Sequence, residues 1–192
     1  MMMMRRTKMY PVILIFTFFA MCQPTTGSIC CLPRQWHAHQ LVSMESPDKV
    51  YVDVSFDANL KKIASNMKMS RKGMKSQEFS LQDYDNSVEY YVANNVCKKI
   101  PITTGFPWCV PDSAIVLFQS FVGTGANKIA TTTYEISNTM ELGDGVLTVT
   151  DGECIPINFK LAAINNGAST DVYGFEEGIP DATIFDTPAT CQ

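Results

Sequence analysis

From Lys49 to Asp57 apolar residues take every second position: Val50, Val52, Val54 and Phe56 alternate with Tyr51, Asp53, Ser55 and Asp57. A helix repeats its faces every 3.6 residues, so a period of two commits this stretch to a strand with one apolar and one wet face. Asp57-Ala58-Asn59 supplies turn residues. Beyond it Ile63, Met67 and Met69 alternate less cleanly with Lys62, Asn66 and Lys68, and the two runs read as a hairpin. Phe79 and Leu81 alternate next, ahead of a turn-forming stretch from Asp83 to Ser87 and a strand from Val88 to Val92.

The second half of the chain continues in strands. Ala114 to Val122 is apolar on both faces, which predicts a central strand covered on both sides. A Thr-rich strand follows over Ile129 to Ile136, and β-branched residues mark two more over Val146 to Thr150 and Ile155 to Ile164. Asp144-Gly145 and Asp151-Gly152 punctuate them. No segment sustains a helical period, and no internal repeat is present. The expected fold is therefore mostly β, an antiparallel sheet either folded over a ligand or paired with a second sheet, with few helices.

The N-terminus reads as an address. Arg5, Arg6 and Lys8 precede an apolar run from Tyr10 to Met21, followed by small and polar residues up to Ser28. This is the pattern of a secretory signal peptide over residues 1–28, cut between about 22 and 28, and the run is shorter than the roughly 20 apolar residues of a membrane span. Residues 29–192 are expected to form a single domain, secreted and without a transmembrane anchor. Its 19 acidic residues face 12 basic ones once Arg5, Arg6 and Lys8 are removed from the 15 in the chain. An acidic surface of this kind argues against a nucleic-acid partner.

Removal of the leader takes away Cys22 and leaves Cys30, Cys31, Cys97, Cys109, Cys154 and Cys191. An even number in a chain bound for an oxidising compartment implies three disulfides, while zinc would need paired Cys or Cys/His clusters that the scattered spacing lacks. Spacing leaves the connectivity open.

Chemistry-bearing motifs are sparse. The chain has no nucleophile elbow, zincin helix, Walker loop or dinucleotide fingerprint, so no catalytic residue is assigned and an enzyme is not expected. In a strand His37 and His39 would point to the same side and could together hold a metal, but the sequence places no third ligand. Asp83, Asp85, Ser87 and Glu89 alternate like a calcium loop, but Val88 occupies the position where an EF-hand needs glycine, so a hairpin turn is the reading. No cofactor is required. Calcium is a candidate only near Glu176, Glu177, Asp181 and Asp186, since even a weak extracellular site is filled at ambient calcium.

Several motifs occur in a characteristic order: Cys30-x-x-Pro33-x-x-Trp36, Tyr90-Tyr91 with Cys97-Lys98-Lys99, Val110-Pro111-Asp112-Ser113-Ala114, Glu153-Cys154-Ile155-Pro156-Ile157, Gly178-Ile179-Pro180-Asp181, and Phe185, Pro188 and Cys191-Gln192. In order and spacing the chain resembles the ependymin family, in its invertebrate ependymin-related branch, from Cys30 to Gln192. The resemblance implies a secreted protein whose curved antiparallel sheet encloses an apolar pocket, an architecture similar to bacterial lipoprotein carriers. It further implies lipid binding, association with extracellular matrix, a link to calcium and homodimers. It pairs Cys30 with Cys154 and Cys97 with Cys191, which leaves Cys31 and Cys109 as a third pair. His37-Ala38 replaces the family's Glu-Gly after the tryptophan, and no glycosylation sequon exists, so glycan-dependent calcium binding does not carry over.

These readings converge on a binder of a lipid or fatty acyl chain. Val52, Val54, Phe56, Ile63, Met67, Phe79, Leu81, Tyr90, Ile157 and Phe159 are the candidate lining residues. Alternation alone leaves open whether such residues line a pocket or pack sheet against sheet. An acidic matrix or adhesion protein with weak calcium binding is the alternative, and a hydrolase with an unrecognised site is a third class.

Overall fold

The alternating segments form the strands that their period demands. The computed structural model describes residues 29–43, 49–71, 74–136, 145–161 and 168–192, so the expected leader over 1–28 lies outside the described residues. Strands β1 (Cys30–Cys31), β2 (Gln35–Ser43), β3 (Lys49–Asp57), β4 (Lys62–Arg71), β5 (Met74–Asp83), β6 (Val88–Ala93) and β7 (Val96–Pro101) make up the first half. Strands β8 (Cys109–Val110), β9 (Ile115–Val122), β10 (Ile129–Ile136), β11 (Gly145–Thr150), β12 (Pro156–Leu161) and β13 (Ala168–Glu177) make up the second. The β3–β4 turn is held by Asp57, whose Oδ1 accepts from the backbone N–H groups of Asn59 at 2.8 Å and Leu60 at 3.0 Å.

Eleven of these strands form one antiparallel sheet in the order β7-β6-β5-β4-β3-β2-β13-β12-β11-β10-β9, and β1 pairs with β8 in a separate ribbon. The chain meanders from β2 to β7, crosses to the opposite edge at β9, and meanders back until β13 pairs with β2. At that seam β13 carries a bulge between Tyr173 and Glu176. Gly174 adopts φ +59° there, and a Cβ at this position would stand 3.0 Å from the His39 ring, so glycine is what lets the two meanders meet.

One face of the sheet, the inner face, holds most of the core: Trp36, Ala38, Val42, Val52, Val54, Phe56, Ile63, Met67, Leu147, Val149 and Phe159 are all buried. Among the described residues the helical pieces are two short 3-10 turns, Ala182–Phe185 and Ala189–Cys191, too small to cover that face. The curved sheet and the connecting segments cover it instead. Phe106 stacks on Phe56 at 5.0 Å and meets Tyr84 edge-on at 5.2 Å. Trp108 Nε1 donates to the Leu32 carbonyl at 2.9 Å, with the Arg34 guanidinium 5.2 Å above the indole.

The three disulfides are Cys30–Cys154, Cys31–Cys109 and Cys97–Cys191. Adjacent strand residues point to opposite sides, which is how Cys31 meets its register partner Cys109 while Cys30 reaches Cys154. On the outer face the C-terminal segment lies against β4 and β5 and forms a second, smaller core of Ala64, Leu81 and Phe185, flanked by Phe79, Tyr90, Ile179 and Ile184. Lys62 Nζ donates to the Phe185 carbonyl at 3.2 Å, and Cys97–Cys191 ties the end of this segment to β7.

One strand is not where the sequence predicts. Ile115–Val122 is the edge strand rather than a covered central one, and all eight residues are exposed, with Ile115 at 58% and Phe118 at 57%. The second meander begins there, so among the described residues β10 is its sole strand neighbour in the sheet. Polar residues hid β2, β7 and β13 from the sequence reading. In β2, for example, Gln40 takes an inward position between Ala38 and Val42.

Two measurements check this frame. Cys97→Ser/Cys191→Ser should lower unfolding stability by about 2–4 kcal/mol and expose the chain beyond Gly178 to limited proteolysis, because the bridge closes a long loop and clamps the outer strap. Asp83 accepts from Asn86 N and Nδ2 at 3.1 and 2.9 Å and lies 3.2 Å from Lys62 Nζ. Burial alone would raise its carboxyl, yet the Asn86 and Lys62 contacts outweigh burial and hold it below the ordinary 3.8. A depressed carboxyl stabilises the fold above its unfolded pKa and ceases to do so as pH falls through its folded value. Asp83→Asn should therefore cost about 1–3 kcal/mol at neutral pH, read from the urea midpoint. The gap to wild type should close below pH 3.8.

Candidate functional site

Strand register lines up the inner-face side chains in rows. Trp36, Phe56, Ile63, Gln82 and Glu89 stand opposite one another across β2 to β6, and Ala38, Val54, Ser65, Ser80 and Tyr91 form the next row. Gln40, Val52, Met67, Glu78 and Ala93 make the third. Across the seam Val42, Thr170, Phe159, Leu147 and Tyr134 continue the face over β13 to β10. The face is therefore mainly apolar from β10 through β4, with Gln40, Ser65 and Thr170 as uncharged interruptions, and carries its buried carboxyls at β5 and β6.

Of the ten lining candidates, Val52, Val54, Phe56, Ile63, Met67 and Phe159 belong to this inner cluster. Phe79, Leu81 and Tyr90 do not: they pack on the outer face with Ala64 and Phe185. Ile157 is half-buried near the start of β12. The reversal on β5 has a physical cause. Alternation predicts that the Phe79 and Leu81 side faces inward, but the C-terminal strap offers those side chains an apolar partner on the outside, and the register then turns Glu78, Ser80 and Gln82 inward.

That inward polar group went unread in the sequence as a site, although Glu78-Phe79-Ser80-Leu81-Gln82 displays the alternation that creates it. Glu78, Ser80, Gln82 and Glu89 are all buried, as is Tyr91. Ser80 Oγ donates to Glu89 Oε1 at 2.6 Å, and the Tyr91 hydroxyl donates to Glu78 Oε2. Tyr84 OH donates to Gln82 Oε1 at 3.1 Å, while Gln82 Nε2 is buried without a partner. Burial pushes the Glu89 carboxyl up, partly offset by the Ser80 hydrogen bond. Burial, with the Glu78 and Glu89 carboxyls nearby, pushes the Tyr91 phenol up as well.

The remaining candidates lie on the outer face, at the end of β13 or beyond it. His37 and His39 do share a side, but each meets its own carboxylate: His39 Nδ1 is 2.6 Å from Asp53 Oδ1, and His37 Nε2 is 3.8 Å from Glu176 Oε2. Lys68 joins Asp53 at 3.0 Å. Burial alone would raise the Asp53 carboxyl, but Lys68 and His39 hold it below its ordinary value. The acidic residues proposed for calcium do not converge. Glu176 and Glu177 point to opposite sides of β13, Asp181 caps the Ala182–Phe185 turn through Thr183 N at 3.0 Å, and Asp186 follows that turn. Among the described residues no group of three or more His, Cys, Asp or Glu side chains is placed to hold a metal.

Comparison with known proteins bears on descent and fold. The chain is 24% identical to Ependymin-related protein 1 of Haliotis asinina, an alignment covering 91% of this chain and 96% of that protein. An uncharacterized conserved protein from Thermus thermophilus has a similar fold, with a TM-score of 0.54 at 11% identity over 84% of this chain and 90% of that one. A LolA superfamily protein from Nitrosomonas europaea aligns with a TM-score of 0.39 at 6% identity over 91% of this chain and 96% of that one. The model of the Ependymin family matches residues 73–191, from β5 through the C-terminal disulfide. A match over more than half the sequence settles descent: the chain belongs to the ependymin family.

Proposed function

We propose that this protein is a secreted, non-enzymatic carrier or sensor of a hydrophobic ligand such as a lipid, with residues 1–28 a cleaved leader and 29–192 a single domain. The observation that carries the reading is the apolar inner face, on which Val52, Val54, Phe56, Ile63, Met67 and Phe159 share one cluster with no large helix among the described residues to fill it. Its action is burial rather than chemistry. Each methylene removed from water contributes about 0.8 kcal/mol, so an acyl chain is held with few polar contacts. Three disulfides fit an oxidising, extracellular setting. No helix of the described residues is long and apolar enough to cross a membrane.

Saturable uptake of a neutral fluorescent hydrocarbon probe by folded, delipidated protein tests the reading. Phe159→Asp should leave the protein folded by circular dichroism while weakening probe binding by about tenfold or more, the result for a side chain beside an open space. Loss of the fold in that variant, or absence of saturable binding in the wild type, would identify the face as a filled core and return the matrix reading.

A second copy of the chain is the partner that β9 supports. Ile115, Val116, Leu117, Phe118, Phe121 and Val122 are exposed, and no charged residue lies between Ile115 and Val122. The strand ends the sheet, so among the described residues its outer backbone groups lack a strand neighbour as well. A lipid surface satisfies apolar side chains but not backbone N–H and C=O groups, whereas an identical strand related by a two-fold axis satisfies both. Sedimentation equilibrium should return twice the chain mass for the wild type and a monomer for Phe118→Glu, with an unchanged circular dichroism spectrum because the side chain is exposed within one copy. A wild-type monomer at micromolar concentration would remove the homodimer.

A further inference from the structure

The polar end of the inner face imposes a choice on whatever ligand the apolar end accepts. Glu78 and Glu89 are 7% and 3% exposed, and the Tyr91 hydroxyl lies within electrostatic reach of both carboxyls. Neither carboxyl makes an ion pair among the described residues: the lysines and histidines that do so pair with Asp53, Asp83, Asp85 and Glu176. Lys98, opposite Tyr91 on β7, is exposed. Buried carboxyls are ordinarily matched by a cation or held neutral, and burial pushes Glu89 toward the neutral form.

The second observation is independent of charge. Gln82, 1% exposed, stands opposite Glu89 on one side and Ile63 on the other, at the boundary between the polar and apolar parts of the face. Its Oε1 is occupied by Tyr84 OH, and its Nε2 donates to nothing. A buried amide donor left unpaired costs about 1–3 kcal/mol, which an acceptor arriving on a ligand would recover.

We propose that the ligand is a single-chain amphiphile with a cationic amino-alcohol head, its ammonium seated by Glu78 and Glu89 and its hydroxyl accepting from Gln82 Nε2. This rests on the carrier reading and specifies its ligand. The hydrocarbon tail then runs from Gln82 over Ile63 and Phe56, the register neighbours across β4 and β3. An ammonium supplies the positive charge that the two carboxyls lack, and Ser80, between Glu78 and Gln82 on β5, adds a hydroxyl acceptor. A fatty acid fits poorly for the converse reason. Its carboxylate would bring a third acidic group to two carboxyls that make no ion pair among the described residues, so selection against free fatty acids comes from the same residues.

Displacement of the neutral probe from delipidated full-domain protein, by amphiphiles of one dodecyl chain length, tests the assignment near neutral pH. The dodecyl amino alcohol should displace at a concentration about tenfold below dodecanol, with dodecanoate the weakest. In Glu78→Gln/Glu89→Gln the advantage over dodecanol should shrink to within about twofold while dodecanol itself displaces as before. Gln82→Met, which retains both carboxyls, should erase the advantage of the amino alcohol over plain dodecylamine, and circular dichroism checks that each variant is folded. Dodecanoate displacing as well as the amino alcohol overturns the head-group assignment, while dodecanol displacement in the same experiment keeps the carrier reading standing. If no probe binds at all, the carrier reading and this assignment fall together.

Discussion

The pairing of β13 with β2 is the contact on which the rest of the structure depends. Ser169 to Tyr173 and Glu176 to Glu177 align with Ser43 to Trp36, joining the end of the second meander to the beginning of the first. Without that seam each meander would leave an apolar face and a further edge in water. With it, Val42, Thr170 and Phe159 become neighbours, and a single face runs from Tyr134 to Tyr91. The seam joins segments more than a hundred positions apart, so forming it costs loop-closure entropy before apolar burial returns it. Cys30–Cys154 and Cys97–Cys191, with sequence separations of 124 and 94, restrict the unfolded chain over similar spans.

The two faces of the sheet serve different ends. The outer face is closed over β4 and β5 by the C-terminal strap, with Phe185 set against Ala64 and Leu81. Farther along it carries short charged contacts, His39 and Lys68 around Asp53 and His37 beside Glu176, in partly exposed positions that contribute little to stability. The inner face combines a broad apolar area with one concentrated polar patch. Under the proposed carrier reading such a division would give the surface a direction, with the apolar part supplying affinity for a chain and the patch of Glu78, Ser80, Gln82, Glu89 and Tyr91 discriminating among heads.

Much of this was legible in the residues. Val50, Val52, Val54 and Phe56 announced β3 and its inward face, Ile129 to Ile136 coincides with β10, and the turn chemistry of Asp57 and Asp83 appears where the side chains called for it. Cysteine number pointed to three bridges. Resemblance to the ependymin family supplied the pairing that spacing left open, and it named the family that the match over residues 73–191 shows.

What alternation cannot convey is which of two faces is inside, because a period of two is symmetric until something covers one side. On β3 the polar side chains settled the matter locally. On β5 the more apolar side, Phe79 and Leu81, went outward, since the strap that covers it arrives from residues 179–185, far along the chain. On β9 both faces read as buried and neither is, because position in a sheet is a property of strand order rather than of composition. By itself, then, the sequence determined most of the strands and turns, the number of bridges and the family. Tertiary structure alone decided the seam, the exposed edge and the inward turn of Glu78, Gln82 and Glu89, since each depends on which distant segment packs against a strand and no local pattern records it.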